Sequence, residues 1–326
     1  MLMPKPEEKP TWLDTTDFPK WLLSYNSQTI IEAWVQKLKE FPDNLAIIVD
    51  IDDTLINSLL NFWLAIISLA KRLSRNINGK DFLNGQSSEE FIQQPNHFAL
   101  LANILGGEKY TRNLADQRQL GFSFNQRGEL LQPEIPELLE IISQSAILLG
   151  GLTARPSQTR ARLGTWRAMQ KTQLENLFRE SGILFYAGNN HFDSIDWKIS
   201  ILKQLVEIRQ QKQEQRQTDS PQTNSQVAPV VMVDDNLELA QKMYGWLSSN
   251  NNPVNHLPYI HILLAKQPFA QAKLAEVGWT IEDQDHLNQM GLYIVTDWNE
   301  VRHIVDQYSY SDGYSLDGQV YNPSPR

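Results

Sequence analysis

The stretch "LAIIVDIDDT", residues 45–54, runs from a continuous apolar segment directly into three carboxylates, those of Asp50, Asp52 and Asp53. An apolar run of strand length that is rich in β-branched side chains is typical of a parallel strand covered on both faces. Carboxylates that follow such a strand either form an ordinary acidic turn or present reactive groups at the end of a sheet. The rest of the chain decides between these two interpretations.

Similar apolar runs recur along the chain, and helical patterns separate most of them. They are "AILLGG" (146–151), "ILFYAG" (183–188), "PVVMVDD" (229–235), "YIHILLA" (259–265) and "LYIVTD" (292–297). Buried strands that alternate with helices predict an α/β fold with a doubly wound, Rossmann-like parallel sheet. Ligands of such sheets bind beyond the carboxyl ends of the strands, so the residues that follow each strand are the candidates for a site.

Two segments interrupt this alternation and divide the chain. Residues 57–132 are mostly helical in pattern and too long for a simple crossover, which predicts an inserted cap domain over the strand ends. Residues 209–226 are Gln-rich and almost free of apolar side chains, which predicts a flexible loop. The predicted α/β core comprises 45–56 and 133–308. It follows an N-terminal extension with one helix, residues 1–44, and precedes a mobile tail, residues 309–326.

Composition argues against several classes of function. The chain has 38 acidic and 29 basic residues, so no basic surplus favours a nucleic-acid partner. It has no cysteine, which excludes disulfides, zinc–thiolate sites and a cysteine nucleophile. The apolar stretch at 55–73 is interrupted by Asn61 and Ser68 and is too short to span a bilayer. The first residues lack the pattern of a secretory signal, so we expect a cytoplasmic protein.

Polar residues that follow the predicted strands indicate phosphate and metal chemistry. They are Asp50, Asp52 and Thr54 after the first strand, Thr153 and Arg155 in "GLTARP", Lys198, and Asp234 and Asp235 in "VVMVDD". Clustered carboxylates repel one another, and a hard cation such as Mg²⁺ relieves that repulsion while it neutralises phosphate. Hydroxyls and a lysine then supply donors to phosphoryl oxygens. The alternative is structural, because Asp and Thr clusters also cap helices and form turns.

Taken in order, "DIDDT", "GLTARP", a following lysine and "VDDN" resemble the four motifs of the haloacid dehalogenase (HAD) superfamily, whose members are mostly Mg²⁺-dependent phosphohydrolases. The resemblance covers about 45–56, 134–206 and 227–298, and the insertion falls where that superfamily has its cap. It implies a Mg²⁺-dependent phosphomonoester hydrolase that acts through an aspartyl-phosphate intermediate on a phosphorylated small molecule.

The resemblance also implies a role for each matching residue. Asp50 attacks phosphorus, and Asp52 protonates the leaving oxygen and later activates water. Thr153 and Lys198 complete the catalytic set, with Lys203 as the alternative lysine. Thr54 binds phosphate or holds the turn. Arg155 binds phosphate or supports the nucleophile, and its alternative is a packed salt bridge. Asp53 is expected to shape the turn. Asp234 and Asp235 hold Mg²⁺ together with the carboxylate of Asp50 and the backbone carbonyl of Asp52.

Two other classes of protein fit part of the pattern. A non-catalytic binding or regulatory protein could retain the same scaffold without turnover, because fold does not dictate function. A phosphoacceptor receiver domain also combines strand-end aspartates, a hydroxyl and a lysine, but it lacks a cap-sized insertion and fits the Asp-x-Asp-Asp-Thr order poorly. The sequence leaves open the substrate's identity, the oligomeric state and which of Asp234 and Asp235 binds metal directly.

Overall fold

The computed structural model describes residues 18–57, 129–188, 193–219, 227–249, 258–266, 274–279 and 284–309. Within these ranges one six-stranded sheet is formed by β1 (Ala46–Val49), β2 (Ile147–Pro156), β3 (Ile183–Tyr186), β4 (Val230–Asp234), β5 (Tyr259–Leu264) and β6 (Leu292–Val295). The strand order is β3-β2-β1-β4-β5-β6, and every neighbouring pair runs parallel. The predicted doubly wound α/β fold is confirmed, and β1, which precedes the three carboxylates, lies in the interior of the sheet.

Helices cover both faces of this sheet. They are α1 (Lys20–Leu23), α2 (Ser27–Glu40), α3 (Ile135–Ser145), α4 (Thr159–Lys171), α5 (Glu175–Arg179), α6 (Ser194–Asp219), α7 (Leu237–Ser249), α8 (Gln284–Gln289) and α9 (Trp298–Ser309). On one face Val49 packs in a core with side chains of α3, α4 and α9. On the other face Ile48 packs with side chains of α2, α6 and α7. Successive strand residues therefore enter opposite cores, as the pleat requires.

Helix α6 contradicts part of the predicted flexible loop at 209–226, because residues 209–219 continue the helix. Arg209 is fully buried and donates hydrogen bonds to carbonyl oxygens of the loop between α2 and β1, those of Phe41, Pro42 and Asn44. Gln213 Oε1 accepts a hydrogen bond from the backbone N–H of Val227 at 2.7 Å. Two polar side chains thus anchor a segment whose composition suggested no anchor.

The N-terminal segment covers the edge of the sheet at β3. The hydroxyl of Tyr25 accepts a hydrogen bond from Phe185 N at 2.9 Å and donates one to Phe185 O at 3.1 Å. The indole of Trp34 donates to Ser181 O at 2.7 Å. A Cβ added to Gly150 would lie 2.4 Å from the Trp34 ring, so that glycine permits the close approach of α2 to β2. An open strand edge invites pairing with other chains, and this segment occupies it.

The two segments that flank the insertion pair with each other, and we call residues 55–57 and 129–131 the neck. Asn57 N donates to Glu129 O at 2.9 Å, and Leu131 N donates to Leu55 O at 2.9 Å. Between these contacts Ile56 and Leu130 form an antiparallel bridge. The insertion therefore leaves and re-enters the core at one place.

Side chains from the end of the chain tie the neck to the core. Trp298, at the start of α9, donates its indole N–H to Thr54 O at 2.9 Å, and its backbone N–H donates to Gln132 Oε1 at 3.1 Å. Lys266 Nζ donates to Leu131 O at 3.0 Å. Trp298 and Lys266, which follow β6 and β5, thus bond to residues within or directly next to both segments of the neck.

Several predictions concern residues outside the described part of the chain. They include the interior of the predicted cap at 58–128, the last part of the predicted loop at 220–226 and the tail at 310–326. The cap domain accordingly stays a prediction. Within the described part, no helix has both the length and the apolar character needed to cross a membrane.

Candidate active site

The turn after β1 brings Asp50 to the carboxyl end of the sheet. Asp50 N donates to Val233 O at 2.9 Å, which continues the ladder between β1 and β4. The chain then closes a tight turn, in which Leu55 N and Ile56 N both donate to Ile51 O, at 3.1 and 2.9 Å. Asp53 has a φ of 57° in this turn, a left-handed conformation that Asp tolerates better than most residues. Its backbone supports the predicted turn-forming role.

Lys198 lies between two carboxylates that follow neighbouring strands. Its Nζ is 3.0 Å from Asp50 Oδ1 and 2.9 Å from Asp234 Oδ2, and all three residues are buried. The alternative lysine, Lys203, instead places its Nζ 5.1 Å from the centre of the Trp246 ring. Of the two candidate lysines, Lys198 is therefore the one that lies at the carboxylate cluster.

Three carboxylates at this edge are close enough to share a cation. One oxygen from each of Asp50, Asp234 and Asp235 lies within 4.8 Å of the other two. The oxygens of Asp234 are engaged, because Oδ1 accepts from Asn236 N at 2.6 Å and Oδ2 faces Lys198. Across the described ranges no residue donates a hydrogen bond to the Asp235 carboxylate. Asp235 is therefore the carboxylate with the most capacity for a direct bond to a metal ion.

Electrostatic repulsion within the cluster shows in the pKa values. Burial raises the pKa of Asp50, Lys198 opposes that rise, and Asp234 and Asp52 add to it. Burial also raises the pKa of Asp235, and the charges of Asp234 and Asp53 raise it further. Burial lowers the pKa of Lys198, but the two carboxylates beside it outweigh burial, so its pKa is raised.

These shifts test whether the residues fit Mg²⁺. One ammonium group contacts two of the three clustered carboxylates, so it does not compensate the negative charge of all three. Oxygen ligands in close proximity are what a hard divalent cation prefers, and an opposite charge within about 4–6 Å favours the ionised carboxylate. The donor set of Asp50, Asp234 and Asp235 therefore fits Mg²⁺.

Arg155 pairs with Asp52 at the neighbouring strand end. Arg155 Nε donates to Asp52 Oδ2 at 2.8 Å and Nη2 donates to Oδ1 at 2.7 Å. The Arg155 side chain has no exposed surface, whereas 16% of the Asp52 side chain is exposed. Arg155 Nη1 also donates to the hydroxyl of Thr165 on α4, at 2.8 Å. Asp52 is thus the member of the pair that faces outward, and Arg155 lies behind it.

The two predicted threonines are fully buried. Thr153 Oγ1 accepts a hydrogen bond from Arg155 N at 3.2 Å. Thr54 Oγ1 has no hydrogen-bond partner among the described residues, and the Thr54 carbonyl accepts from the Trp298 indole. The structure brings both threonines to the site's edge of the sheet, and their contact with a phosphoryl group stays a prediction.

Thr165 is the residue at this site that the sequence did not indicate. It lies on a helix ten positions after Arg155 and belongs to none of the quoted motifs. A threonine in a helix carries no signal of its own, because its hydroxyl usually bonds to a backbone carbonyl of the preceding turn. Thr165 does this as well, with Ala161 O at 2.8 Å.

Comparison with known proteins gives matches only among solved structures. No protein-family model matches the sequence, and no curated protein is similar to it. A haloacid dehalogenase-like hydrolase from Streptococcus pneumoniae is 16% identical, with a TM-score of 0.44 over 80% of this chain and 98% of that chain.

Two further structures are similar at the same level. A protein assigned as a HAD-hydrolase from Bacillus subtilis, bound to magnesium, is 11% identical, with a TM-score of 0.41 over 81% of this chain and 99% of that chain. A predicted phosphatase from Clostridium acetobutylicum is 12% identical, with a TM-score of 0.40 over 81% of this chain and 99% of that chain.

Proposed function

We propose that this protein is a Mg²⁺-dependent phosphomonoester hydrolase of the haloacid dehalogenase type, which acts through an aspartyl-phosphate intermediate. The observation that carries the proposal is the contact of buried Lys198 with buried Asp50 and Asp234, at 3.0 and 2.9 Å. Burying such charges is costly, and perturbed groups of this kind cluster at functional sites. The cluster also lies at the carboxyl ends of adjacent parallel strands, where α/β sheets bind ligands.

Asp50 is the proposed nucleophile in the first step. One of its carboxylate oxygens attacks phosphorus, the bond from phosphorus to the ester oxygen breaks, and that oxygen leaves as an alcohol after it takes a proton from Asp52. The product is a phosphoryl group on Asp50 and an ionised Asp52. Lys198 screens the charge of Asp50 from the negative phosphoryl oxygens during the attack.

Asp52 is the proposed base in the second step. It takes a proton from a water molecule, the water oxygen attacks the phosphorus of the aspartyl-phosphate, and the bond to Asp50 breaks. Inorganic phosphate leaves, Asp50 is restored as a carboxylate, and Asp52 regains the proton that it gave in the first step. Thr153 and Thr54 are the proposed hydroxyl contacts on the phosphoryl side of the site.

Mg²⁺ would be held by the carboxylates of Asp50, Asp234 and Asp235 and the backbone carbonyl of Asp52. When bound, it neutralises the developing charge on the phosphoryl oxygens. Because the Asp235 carboxylate accepts no hydrogen bond from the described residues while both Asp234 oxygens are engaged, we assign Asp235 as the direct ligand. Asp234 would then add negative charge beside the ion and orient Lys198.

The proposed substrate is a phosphorylated small molecule, and the predicted cap at 58–128 would select its leaving group. We also propose that the protein acts in the cytoplasm, where a chain without cysteine loses nothing in a reducing environment.

Hydrolysis of 4-nitrophenyl phosphate with Mg²⁺ tests the proposed function. Wild-type protein is expected to release 4-nitrophenolate, and Asp50→Asn is expected to abolish release, because an amide cannot attack phosphorus. Asp53→Asn is the matched control: it makes the same substitution in the same turn, and Asn also tolerates the φ of 57°. This variant is expected to keep most of the activity.

The non-catalytic alternative predicts a different result. If wild-type protein is inert toward a broad panel of phosphate esters in Mg²⁺, and if wild type and Asp50→Asn bind a phosphorylated ligand equally well, the hydrolase proposal is wrong and a binding role is favoured.

A further inference from the structure

We infer that Thr165 and Arg155 form a positioning pair for Asp52, and that Arg155 does not bind the phosphoryl group. The inference rests on the proposed function, in which Asp52 moves the protons. It replaces the phosphate contact predicted for Arg155, and it adds Thr165, which no motif includes.

Burial separates the two sides of the ion pair. The Arg155 side chain has no exposed surface, and the Asp52 side chain is 16% exposed. A residue that binds a phosphoryl group must present its donors to the substrate. Arg155 instead directs Nε and Nη2 at the two oxygens of Asp52, at 2.8 and 2.7 Å. A planar guanidinium that meets both oxygens of a carboxylate fixes the orientation of that carboxylate.

Thr165 holds the guanidinium from the opposite side. Its Oγ1 accepts from Arg155 Nη1 at 2.8 Å, and its hydroxyl donates to Ala161 O at 2.8 Å. The single hydroxyl hydrogen is directed into α4, which leaves a lone pair of the oxygen for Arg155. Thr165 is fully buried, and so is the adjacent Trp166, which packs in the core. The hydroxyl is therefore a rigid point of attachment on a packed helix.

The hydrogen bond from Arg155 to Thr165 matters because Asp52 is proposed to give up and regain a proton. In this structure both oxygens of Asp52 accept from Arg155. When Asp52 carries the proton for the leaving oxygen, the oxygen that bears it becomes a weaker acceptor for Arg155. One contact to Asp52 and the contact to Thr165 then keep the guanidinium in place. Without Thr165, Arg155 would lose the contact to α4 that orients its guanidinium while Asp52 must stay aligned.

Three substitutions in α4 and at the residue that ends it separate positioning from folding. Thr165→Val removes the hydroxyl and keeps the shape of the side chain, whereas Thr165→Ser keeps the hydroxyl. Thr172→Val is the matched control: Thr172 is also a buried threonine of this helix region, and its hydroxyl donates to Ala168 O at 2.8 Å. The Thr172 hydroxyl bonds to the carbonyl oxygens of Ala168 and Met169 and not to Arg155, so Thr172→Val loses only hydrogen bonds at the end of the helix.

Two substrates separate the role in proton transfer from phosphate binding. 4-Nitrophenyl phosphate has a good leaving group that needs little protonation, and a simple alkyl phosphate has a poor one that depends on the acid. For Thr165→Val we expect kcat with the alkyl phosphate to fall about tenfold or more, since general acid catalysis contributes on the order of 10²–10⁴. With the aryl phosphate kcat should fall about twofold to threefold, and the inhibition constant of inorganic phosphate should change less than twofold.

The remaining variants complete the test. Thr165→Ser should restore most of the alkyl phosphate activity, and Thr172→Val should leave the ratio of alkyl to aryl kcat unchanged. The inference is overturned if Thr165→Val lowers kcat equally for both substrates or weakens binding of inorganic phosphate. It is also overturned if Thr165→Val and Thr172→Val have the same ratio of alkyl to aryl kcat. A wild-type protein with no activity on either substrate would instead overturn the proposed function, so the two failures are distinct.

Discussion

The ammonium group of Lys198 lies 2.9 Å from a carboxylate oxygen of Asp234, although the two residues are 36 positions apart. A helix that crosses one face of the sheet and a central strand thus place opposite charges together in the interior. The same ammonium group also contacts Asp50, so one cation serves two carboxylates.

Replacing Lys198 by Met is expected to destabilise the fold and abolish activity. It leaves Asp50 and Asp234 without the buried cation that both contact, and removing one partner of a buried ion pair costs about 3–5 kcal/mol. Excess Mg²⁺ should restore part of the lost stability, because a second cation relieves the same repulsion between the carboxylates. Urea unfolding with and without Mg²⁺ measures both effects.

Lys203→Met is the control for this substitution. Lys203 lies five residues further along α6 and contacts the Trp246 ring, so its removal should cost about 1 kcal/mol or less. The position that the structure gives to Lys198 would be contradicted if both variants lost equal stability. It would also be contradicted if Mg²⁺ restored no stability to Lys198→Met.

Asp235→Asn is expected to raise the melting temperature of the metal-free protein and to remove most of its stabilisation by Mg²⁺. The rise follows because burial and the neighbouring carboxylates disfavour the ionised form, as the raised pKa of Asp235 indicates. The loss follows because a ligand that binds only the folded state stabilises it by about 2.7 kcal/mol at 100 times its Kd. Thermal unfolding at several Mg²⁺ concentrations measures both the higher melting temperature without metal and the smaller increase with Mg²⁺.

Glu238→Gln is the matched control for the metal site. Glu238 is an exposed carboxylate three residues after Asp235, and it pairs with Lys242 at 3.1 Å. Its substitution should leave the response to Mg²⁺ unchanged. If Asp235→Asn responds to Mg²⁺ as the wild type does, Asp235 is not the direct ligand.

The site residues that sequence reasoning found share a simple origin. Asp50 and Asp234 each end a continuous apolar run, and parallel strands bring their carboxyl ends to one edge whatever the details of packing. The order of the apolar runs and motifs was therefore enough to predict that Asp50 and Asp234 lie close together. Lys198 was harder to assign, because spacing along the chain did not separate it from Lys203. The choice depends on which face of α6 meets the sheet.

The features that sequence reasoning missed depend on contacts between distant residues. Arg209 and Gln213 hold the polar end of α6 against the loop before β1 and the residues before β4. No local composition reports such partners, so the segment appeared to be a loop. Thr165 stands out only because Arg155 donates a hydrogen bond to its hydroxyl. That contact forms only when α4 is packed against the sheet.

His261 is expected to make stability depend on pH between about 6.5 and 4. Burial lowers its pKa from 6.5 to about 4 in the folded state; the nearby charge of Asp234 raises it and that of Lys198 lowers it. At this site the folded protein therefore binds fewer protons than the unfolded chain in this window, and the contribution of His261 to stability falls as the pH falls. The full effect is at most about 3 kcal/mol.

Urea unfolding of wild type and His261→Asn at pH 7, 6, 5 and 4.5 measures this contribution. Asn can still bond to the Tyr259 hydroxyl, which lies 2.8 Å from His261 Nδ1. The variant should lose less stability on acidification than the wild type, whereas substitution of the exposed His303 by Asn should not change the slope. Parallel pH profiles for wild type and His261→Asn would contradict the expectation.

Tyr25→Phe is expected to lower the free energy of unfolding by about 1–3 kcal/mol, because it leaves the N–H and C=O of Phe185 without the hydroxyl that bonds to both. Tyr244→Phe is the control, since the Tyr244 hydroxyl has no hydrogen bond within the described residues. Chemical denaturation of both variants provides the comparison. A loss in Tyr25→Phe no larger than in Tyr244→Phe would show that the edge of β3 does not depend on this side chain.

The neck also bears on how the protein can change over evolutionary time. Asn57 N and Glu129 O are hydrogen-bonded at 2.9 Å, so the core itself holds together the two residues between which the insertion lies. The entropy of closing a loop grows only with the logarithm of its length, so lengthening, shortening or exchanging this segment costs the sheet little. If the insertion selects the leaving group, as we propose, substrate preference can diverge there while Asp50, Asp52 and Lys198 keep their positions.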